Sequence, residues 1–323
     1  MKTPEFLELA SKIHQLNHHQ RTLLTSALTQ LSDEPKVAEL IETHFDSKSS
    51  CPHCAHHKCY RHGKVHGLQR YRCEACKKTF NALTNTPLAH LRYKAKWLDY
   101  LDAITDSLTV RQAASDLHVH RNTTFRWRHR FLEWIKQDRP TTLHGITQAD
   151  ETYLLESHKG SRKLERKPRK RGGSASKRGI SNEQVCILIA RDRSKQTVDF
   201  VTGNGAITKA ILTTHLKPIL DADALLVSDS NPTYDSFCHA EHITHKAINL
   251  SQGQRVIKGA YHVQNVNAYH SRFKSWLGGF HGVATKYLPN YLGWCRMMDE
   301  YRNLTPDMLL NSALGDFQHL TVT

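Results

Sequence analysis

Two pairs of cysteines near the N-terminus have the types and spacing of a metal site. Cys51 and Cys54 form one CxxC pair, Cys73 and Cys76 form a second, and 18 residues separate the pairs. The thiolates of each pair can converge on one ion, and two such pairs complete a tetrahedral four-sulfur site. Four protein ligands leave no open position for water, so the sequence predicts one structural Zn²⁺ in a zinc ribbon.

Two aspartates occupy positions in candidate strands where a catalytic cation could bind. Asp229 ends the apolar segment 225–229, which has the character of a buried parallel strand, and Asp150 lies in another candidate strand, 147–155. Ligand sites in open α/β sheets lie outside the carboxyl ends of the strands, so both carboxylates could face one site. Carboxylates at strand ends are also common as solvated or capping groups, and the pattern by itself leaves that alternative open.

A candidate helix at residues 263–280 carries a polar stripe that could complete such a site. Asn267, His270 and Lys274 recur at helical spacing on one face, while aromatic and aliphatic residues occupy the other. The apolar face would pack on the sheet and leave the polar face toward the strand ends. Oxygen ligands of this kind suit magnesium, which can clamp the attacking and leaving oxygens of a phosphodiester.

Residues 109–130 have the pattern of a helix-turn-helix. Thr109 can cap a first helix, a short turn follows around residues 118–120, and a second helix offers Phe125 and Trp127 for packing. An ordinary helical hairpin with a charged face is the alternative. The residues of the second helix that suit base edges and phosphates are Arg121, Asn122, Arg126 and Arg128.

The segment 159–179 is the most basic part of the chain, with ten Lys and Arg residues against one Glu. It holds too little apolar surface to order itself, so we expect a mobile loop. Two interpretations stay open: a solvated loop, or a clamp on the DNA phosphate backbone, which the density of like charge favours. The candidate phosphate contacts are Arg162, Lys163, Arg169, Lys170 and Arg171.

The charge and hydropathy of the whole chain agree with a nucleic-acid partner. The 323 residues include 45 Lys and Arg against 30 Asp and Glu, a formal net charge of +15, which favours a polyanion. No segment approaches the roughly 18 apolar residues of a membrane helix, and the N-terminus lacks the apolar run of a secretory signal. We therefore expect a cytoplasmic protein whose eight cysteines are reduced or bound to metal.

The pattern along the chain predicts a multidomain protein of the α+β or α/β class. Residues 1–48 have the pattern of a small packed helical module, 49–88 that of the zinc ribbon and 89–140 that of the helix-turn-helix region. From residue 141 to 302 strand-like and helical runs alternate, which predicts a mixed sheet flanked by helices, with the basic loop at 157–180. Residues 303–323 are expected to form a C-terminal tail. The candidate strands are 147–155, 184–191, 197–202 and 224–229.

Seven segments between residues 45 and 302 form a specific set: Cys51-Pro-His-Cys54, Tyr71–Phe80, Leu83–Leu88, Ala149–Tyr153, Ser228-Asp229, Asn265–Lys274 and Phe280–Trp294. The set resembles bacterial insertion-sequence transposases of the DDE superfamily in which a zinc ribbon precedes a ribonuclease-H-like catalytic domain. The resemblance implies a D-D-N-K catalytic set of Asp150, Asp229, Asn267 and Lys274. It implies two catalytic Mg²⁺ ions, for which Mn²⁺ can substitute, and leaves open whether His270 or Glu151 assists the second metal.

The resemblance further implies a DNA transposase that binds terminal inverted repeats as a homo-oligomer, associated with the nucleoid and with no membrane partner. It would cleave phosphodiesters of double-stranded DNA and transfer the strand to a target. The alternatives are a non-catalytic zinc-ribbon and helix-turn-helix DNA-binding protein, an inactive transposase remnant, or a nuclease that cleaves without joining. The Asp150 and Asp229 pair with Lys274, which DNA binding alone does not require, favours the enzyme.

Overall fold

The computed structural model describes residues 3–30, 33–46, 50–164, 166–169, 173–249, 252–253, 256–301 and 303–317. The chain divides into two compact units. One comprises residues 1–84 and 91–99, and the other comprises residues 85–90 and 100–323. The predicted residues Lys170 and Arg171 lie outside the described residues. Within the described residues no helix combines the length and the apolar character needed to cross a bilayer.

The first unit consists of three helices and a small antiparallel sheet. The helices are α1 (Thr3–Lys12), α2 (His18–Gln30) and α3 (Glu34–Asp46), and the strands are β1 (Cys59–Val65), β2 (Leu68–Cys73) and β3 (Thr79–Asn81), in the order β1-β2-β3. Helix α3 packs on the sheet through Phe45, whose ring centroid lies 4.8 Å from that of Tyr71. Glu42 fixes this contact, because its carboxylate accepts hydrogen bonds from the backbone N–H of Gln69 and the hydroxyl of Tyr71.

Helices α1 and α2 differ from the packed module that the sequence predicts. Their helical spacing is present, but apolar side chains that include Phe6, Leu7, Leu9 and Leu23 are exposed. Periodicity therefore identified the helices but not their packing, because the pattern defines an apolar face without specifying what covers it.

The second unit contains a mixed sheet, as the sequence predicts, and this sheet has five strands among the described residues, one more than the four candidates. Its strands are β4 (Ile146–Leu155), β5 (Gln184–Arg191), β6 (Thr197–Asn204), β7 (Leu225–Asp229) and β8 (Thr244–Ile248), in the order β6-β5-β4-β7-β8. Strands β4, β5 and β6 pair antiparallel, whereas β7 and β8 run parallel to β4. This arrangement, with helices on both faces, is the ribonuclease-H-like fold class expected from the sequence.

The interior strand β5 shows that the sheet is covered on both faces. Val185, Ile187 and Ile189 belong to one buried cluster, and the alternating Cys186 and Leu188 belong to another. A strand buried on both sides reads as a continuous apolar run, which is what the sequence shows here. Helices α7 (Lys209–His215) and α8 (Pro232–Ala240) supply one cluster, and α9 (Gln264–Gly278) and α10 (Leu288–Glu300) supply the other.

The helix-turn-helix elements belong to this same unit. Helix α4 (Trp97–Thr105) leads into α5 (Val110–Asp116) and α6 (Arg121–Ile135), and α6 contacts both α10 and α11 (Pro306–Ala313). The contact with α10 is close, since a Cβ added at Gly293 would lie 2.5 Å from the Cα of Lys136. Residues 100–140 thus share one compact unit with the sheet. The segment 303–323, expected to form a tail, contains α11, whose Leu309 and Leu310 are buried.

Candidate active site

Three carboxylates converge where strands β4 and β7 run side by side. The parallel register pairs Gln148 with Val227, and two residues farther along each strand lie Asp150 and Asp229. Asp150, Glu151 and Asp229 each offer an oxygen, and these atoms all lie within 4.8 Å of one another. The predicted pair is thus brought together, and Glu151, expected only as an assisting residue, belongs to the same cluster.

The electrostatics of this cluster favour a bound cation. Burial raises the pKa of Glu151 to about 8, and the charges of Asp150 and Asp229 add to that rise. Burial also raises the pKa of Asp150 to about 6, with repulsion from Asp229 in the same direction and the positive charge of Lys274 opposing it. Three carboxylates that repel one another in a partly buried site fit a divalent metal ion, which favours oxygen ligands and would offset the repulsion.

Asn231 links the carboxylates to helix α8 and was missed by the sequence reasoning. Its side-chain amide donates to Glu151 Oε1 over 3.3 Å, and its backbone N–H donates to Asp229 Oδ1 over 3.2 Å. Asn231 is also the N-cap of α8, because its Oδ1 accepts from the backbone N–H of Thr233. The signal that could have identified it is an Asn followed by Pro232, the pattern of a helix N-cap and first turn, shortly after Asp229.

Helix α9 is held against β4 by a buried side chain, that of Gln148. Its Oε1 accepts hydrogen bonds from the backbone N–H groups of Asn265 and Val266, at 3.0 and 3.3 Å. These are N–H groups of the first turn of α9, which have no partner inside the helix. Gln148 therefore sets the start of α9 relative to Asp150, two residues away on the same strand, and was not among the predicted residues.

The polar face of α9 includes a residue that lies next to Asp150. His270 Nδ1 is 3.7 Å from Asp150 Oδ2, while Asn267 and Lys274, about one turn to either side, are exposed. Burial lowers the pKa of His270 to about 4, with the charge of Lys274 in the same direction, so its imidazole is neutral near pH 7. Tyr269 and Phe273 on the other face are buried against the sheet.

The four predicted zinc ligands also converge. The Sγ atoms of Cys51 and Cys76 are 3.7 Å apart, and those of Cys54 and Cys73 are 3.6 Å apart. A tetrahedral site with Zn–S bonds of about 2.3 Å separates its sulfur atoms by about 3.8 Å, so the arrangement fits zinc. Cys59 lies close by, but it is outside the cluster of four.

Each CxxC turn closes with a residue in the left-handed backbone region. Ala55 and Lys77 have φ values of 59° and 58°, and their N–H groups donate to the carbonyls of Cys51 and Cys73. The tight turn brings both thiols of a pair to the same side, which is the geometry that a shared ion requires.

The predicted DNA-contacting residues of α6 fall into two groups. Arg121, Asn122 and Arg126 are exposed, as a role on a nucleic-acid surface requires. Arg128 is fully buried, and its guanidinium lies over the rings of Phe280 and Trp294. The prediction that Arg128 belongs to the DNA-binding surface is therefore corrected: α10 packs on the face of α6 that bears this residue.

The described part of the basic loop shows the same division. Arg162 and Lys163 are exposed. Arg169 is instead held by the protein itself, because it donates to the carbonyl oxygen of Glu156 and lies 3.7 Å from the carboxylate of Glu183. The charge of Arg169 is thus partly matched within the chain. Arg169 is therefore a weaker candidate for a phosphate contact than Arg162 and Lys163.

Part of the chain matches a known family of transposases. Residues 142–296 match the family model of the ISXO2-like transposase domain. A protein of Halobacterium salinarum, described as an uncharacterized protein in transposable element ISH50, is 27% identical over 245 residues, which cover 75% of this chain and 82% of that protein.

Two solved structures are also among the matches. A pre-cleavage Mos1 transpososome is 13% identical, with 62% of this chain and 78% of that chain covered and a TM-score of 0.21. A Mos1 mariner paired-end complex with Mn is 13% identical, with 98% and 99% covered and a TM-score of 0.21. Residues 142–296, which contain the three carboxylates and the polar face of α9, are therefore similar to the transposase domain of the ISXO2-like family.

Proposed function

We propose that the chain binds the ends of a transposable element and catalyses cleavage and strand transfer of double-stranded DNA at the carboxylate cluster of Asp150 and Asp229. The observation that carries this proposal is the convergence of these carboxylates, inside the transposase domain, at the edge of the sheet where β7 ends. DNA binding alone would not require a cluster of partly buried acids, which repels a polyanion.

Asp150 and Asp229 would hold two Mg²⁺ or Mn²⁺ ions, and the exposed amide of Asn267 would complete the ligand set. Such ions, when bound, activate the attacking oxygen and neutralise charge on the leaving oxygen of a phosphodiester. Lys274, on the same helix face, would hold the phosphate next to the scissile bond. The imidazole of His270, 3.7 Å from Asp150 Oδ2 and neutral near pH 7, would be close enough to assist the second metal ion.

Positively charged groups outside this cluster would bind the DNA. The exposed side chains of Arg121, Asn122 and Arg126 on α6 suit base edges and phosphates, and Arg162 and Lys163 suit the phosphate backbone. The zinc ribbon would contribute a further DNA-binding element stabilised by a structural Zn²⁺ at its four cysteines. We propose that the protein acts as a homo-oligomer, since two ends must be joined.

The test uses duplexes that carry the inverted repeats flanking the gene, scored separately for binding, nicking and joining with Mg²⁺. Asp229→Ala is expected to abolish nicking and joining while binding is retained, because affinity comes from the cationic surfaces. Asn267→Ala should be milder, since an amide contributes no charge to the cation, and Lys274→Ala should slow the reaction without loss of metal.

Each outcome separates the alternatives. If Asp229→Ala nicks at the wild-type rate, the assigned site is wrong. Binding without nicking by the unaltered protein, in Mg²⁺ and in Mn²⁺, would indicate an inactive remnant or a DNA-binding regulator. Nicking without joining would indicate a nuclease.

A further inference from the structure

A cleft separates the N-terminal half of α6 from the segment that precedes α10. We call it the α6 cleft; its walls include Arg111, Arg121, Phe125, Arg128, Lys159 and Tyr287. Its volume is about 700 Å³, within the range of about 300–1,000 Å³ that is typical of sites for small organic groups. It lies entirely in the second unit and is separate from the carboxylate cluster, none of whose members lines it.

One wall of the α6 cleft is a group of aromatic rings. The ring of Phe125 is 44% exposed, and its centroid lies 5.6 Å from that of Tyr287 at an interplanar angle of 82°. Tyr287 in turn stacks on His129, with centroids 3.6 Å apart and planes 16° apart. Burial lowers the pKa of His129 to about 4, so this stack is uncharged near pH 7. Exposed aromatic faces held in place by stacked neighbours are platforms on which a planar base can stack.

The charge of the α6 cleft is uniformly positive. Arg111, Arg121, Arg128 and Lys159 line it, and none of its lining residues is Asp or Glu. Arg111, Arg121 and Lys159 are exposed, so the rim presents cations to the solvent. A ligand with both a planar aromatic group and a negative charge is complementary to this combination.

Arg128 is the buried member of this set of cations. Its side chain is fully buried, and its Nη2 donates to the carbonyl oxygen of Leu108 at 2.6 Å. The side chains of Tyr100 and Tyr291 lie beside the guanidinium, which also lies over the rings of Phe280 and Trp294. Arg128 therefore adds positive charge to the wall of the α6 cleft, while contact with a ligand falls to the exposed Arg111, Arg121 and Lys159.

We propose that the α6 cleft receives one unpaired nucleotide of the bound DNA, with the base stacked on the exposed ring of Phe125, the ring of Tyr287 at the edge of the base, and the phosphate or polar atoms of the base directed to the exposed cations. The DNA source follows from location, because Arg121 and Asn122, at the exposed start of α6, line the cleft. The inference rests on the proposed DNA binding, but it does not depend on the carboxylate site or on cleavage.

The cost of extruding a base predicts which DNA binds best. Flipping a paired base requires unstacking, which is least costly for a base that is already unpaired. Stacking of one base on an aromatic side chain is favourable enough for the full-length protein to bind a duplex with a single-nucleotide bulge about tenfold more tightly than the paired duplex of equal length.

The experiment measures the affinity of both duplexes by fluorescence anisotropy at fixed salt concentration. Phe125→Ala should remove the preference for the bulged duplex and leave the affinity for the paired duplex nearly unchanged. Tyr287→Ala should act in the same direction, whereas Tyr287→Phe, which keeps the ring, should retain the preference. Phe6→Ala is the matched control, because Phe6 is an exposed Phe, 55% accessible, that lies outside the α6 cleft and outside the proposed DNA-binding elements. Circular dichroism verifies that each variant is folded.

Several outcomes overturn the inference. Equal affinity of the unaltered protein for both duplexes would do so, and so would a preference that survives in folded Phe125→Ala and Tyr287→Ala, since bending at the bulge would then explain it. Saturable binding of deoxyadenosine monophosphate without a bulge preference would assign the α6 cleft to a free nucleotide instead. Failure of the unaltered protein to bind either duplex would instead contradict the proposed DNA-binding function.

Discussion

Asp150 and Glu151 are consecutive residues of β4, yet their carboxylates approach within 4.8 Å of each other and of Asp229. Successive strand side chains normally point to opposite faces of a sheet. Here the backbone N–H of Glu151 donates to Asp150 Oδ1 over 2.9 Å. The side-chain amide of Asn231 donates to the carboxylate of Glu151. A second carboxyl group, adjacent to Asp150 in sequence, thus belongs to the cluster, and a bound cation would favour its charged form.

Glu151→Gln is expected to raise the melting temperature of the metal-free protein at pH 7–8, because it removes repulsion among three clustered acids. It should also reduce the stabilisation by Mg²⁺ or Mn²⁺. A cation at 100 times its Kd adds about 2.7 kcal/mol, or about 5–10 °C for a domain of this size. Thermal unfolding in EDTA and in divalent cation measures both effects. Asp223→Asn, at an exposed acid outside the cluster, is the control, and an unchanged cation response in Glu151→Gln would contradict the role given to this residue.

The stabilisation of the metal-free protein by Glu151→Gln should increase with pH. The pKa of Glu151 is raised from 4.5 to about 8 on folding, so its contribution to stability is fully present below about pH 4.5 and is lost as the pH rises through 8. The difference in melting temperature between Glu151→Gln and the unaltered protein, measured in EDTA, should therefore grow from pH 5 to pH 9. A difference that is constant across this range would show that Glu151 titrates normally.

The zinc ribbon allows a comparison between neighbouring cysteines. Cys73→Ser removes one of four converging thiols and should abolish zinc binding and unfold the ribbon, because metal-binding energy is folding energy in small metal sites. Cys59→Ser should retain one zinc per chain, since Cys59 is outside the cluster of four. Metal analysis of the purified proteins measures the stoichiometry, and zinc-free unaltered protein would refute the site.

The sheet was predictable wherever burial leaves a simple pattern. Strand β5 is covered on both faces and appears in the sequence as a continuous apolar run, and β7 shows the same character up to Asp229. Strand β8 was missed because Thr244–Ile248 lies at the sheet edge and begins with three polar residues, so that no apolar run identifies it.

The candidate site was predictable only in part, because several of its residues act through partners that are distant in sequence. Gln148 accepts from N–H groups more than a hundred residues away, a relation that no local pattern reveals. Arg128 was placed with the exposed arginines of α6 because helical spacing does not reveal that α10 covers one side of the helix. The four zinc ligands could be predicted from the sequence, because all of them lie within two short CxxC motifs.

The basic loop can be tested through the salt dependence of DNA binding. Each phosphate contact contributes about 0.9 to the slope of log affinity against log salt concentration. Replacing both Arg162 and Lys163 by Gln should reduce that slope by up to about two. Arg169→Gln should change it less, because Arg169 is already bound to the carbonyl of Glu156 and lies near Glu183. An unchanged slope in the double variant would identify the loop as a solvated surface.

Gln148 provides a test of how helix α9 is positioned. Gln148→Met keeps the side-chain volume but removes the acceptor for two N–H groups at the start of α9. We expect a loss of about 1–3 kcal/mol of stability. We also expect reduced nicking with DNA affinity retained, because Asn267 and Lys274 would shift relative to Asp150.

Thr147→Val is the matched control for Gln148→Met. Thr147 is equally buried, and its hydroxyl has no hydrogen-bond partner among the described residues, so the isosteric change removes no interaction. A purely structural role for Gln148 would lower the melting temperature and leave nicking of the folded protein at the wild-type rate. That result would show that the first turn of α9 does not govern the geometry of the carboxylate site.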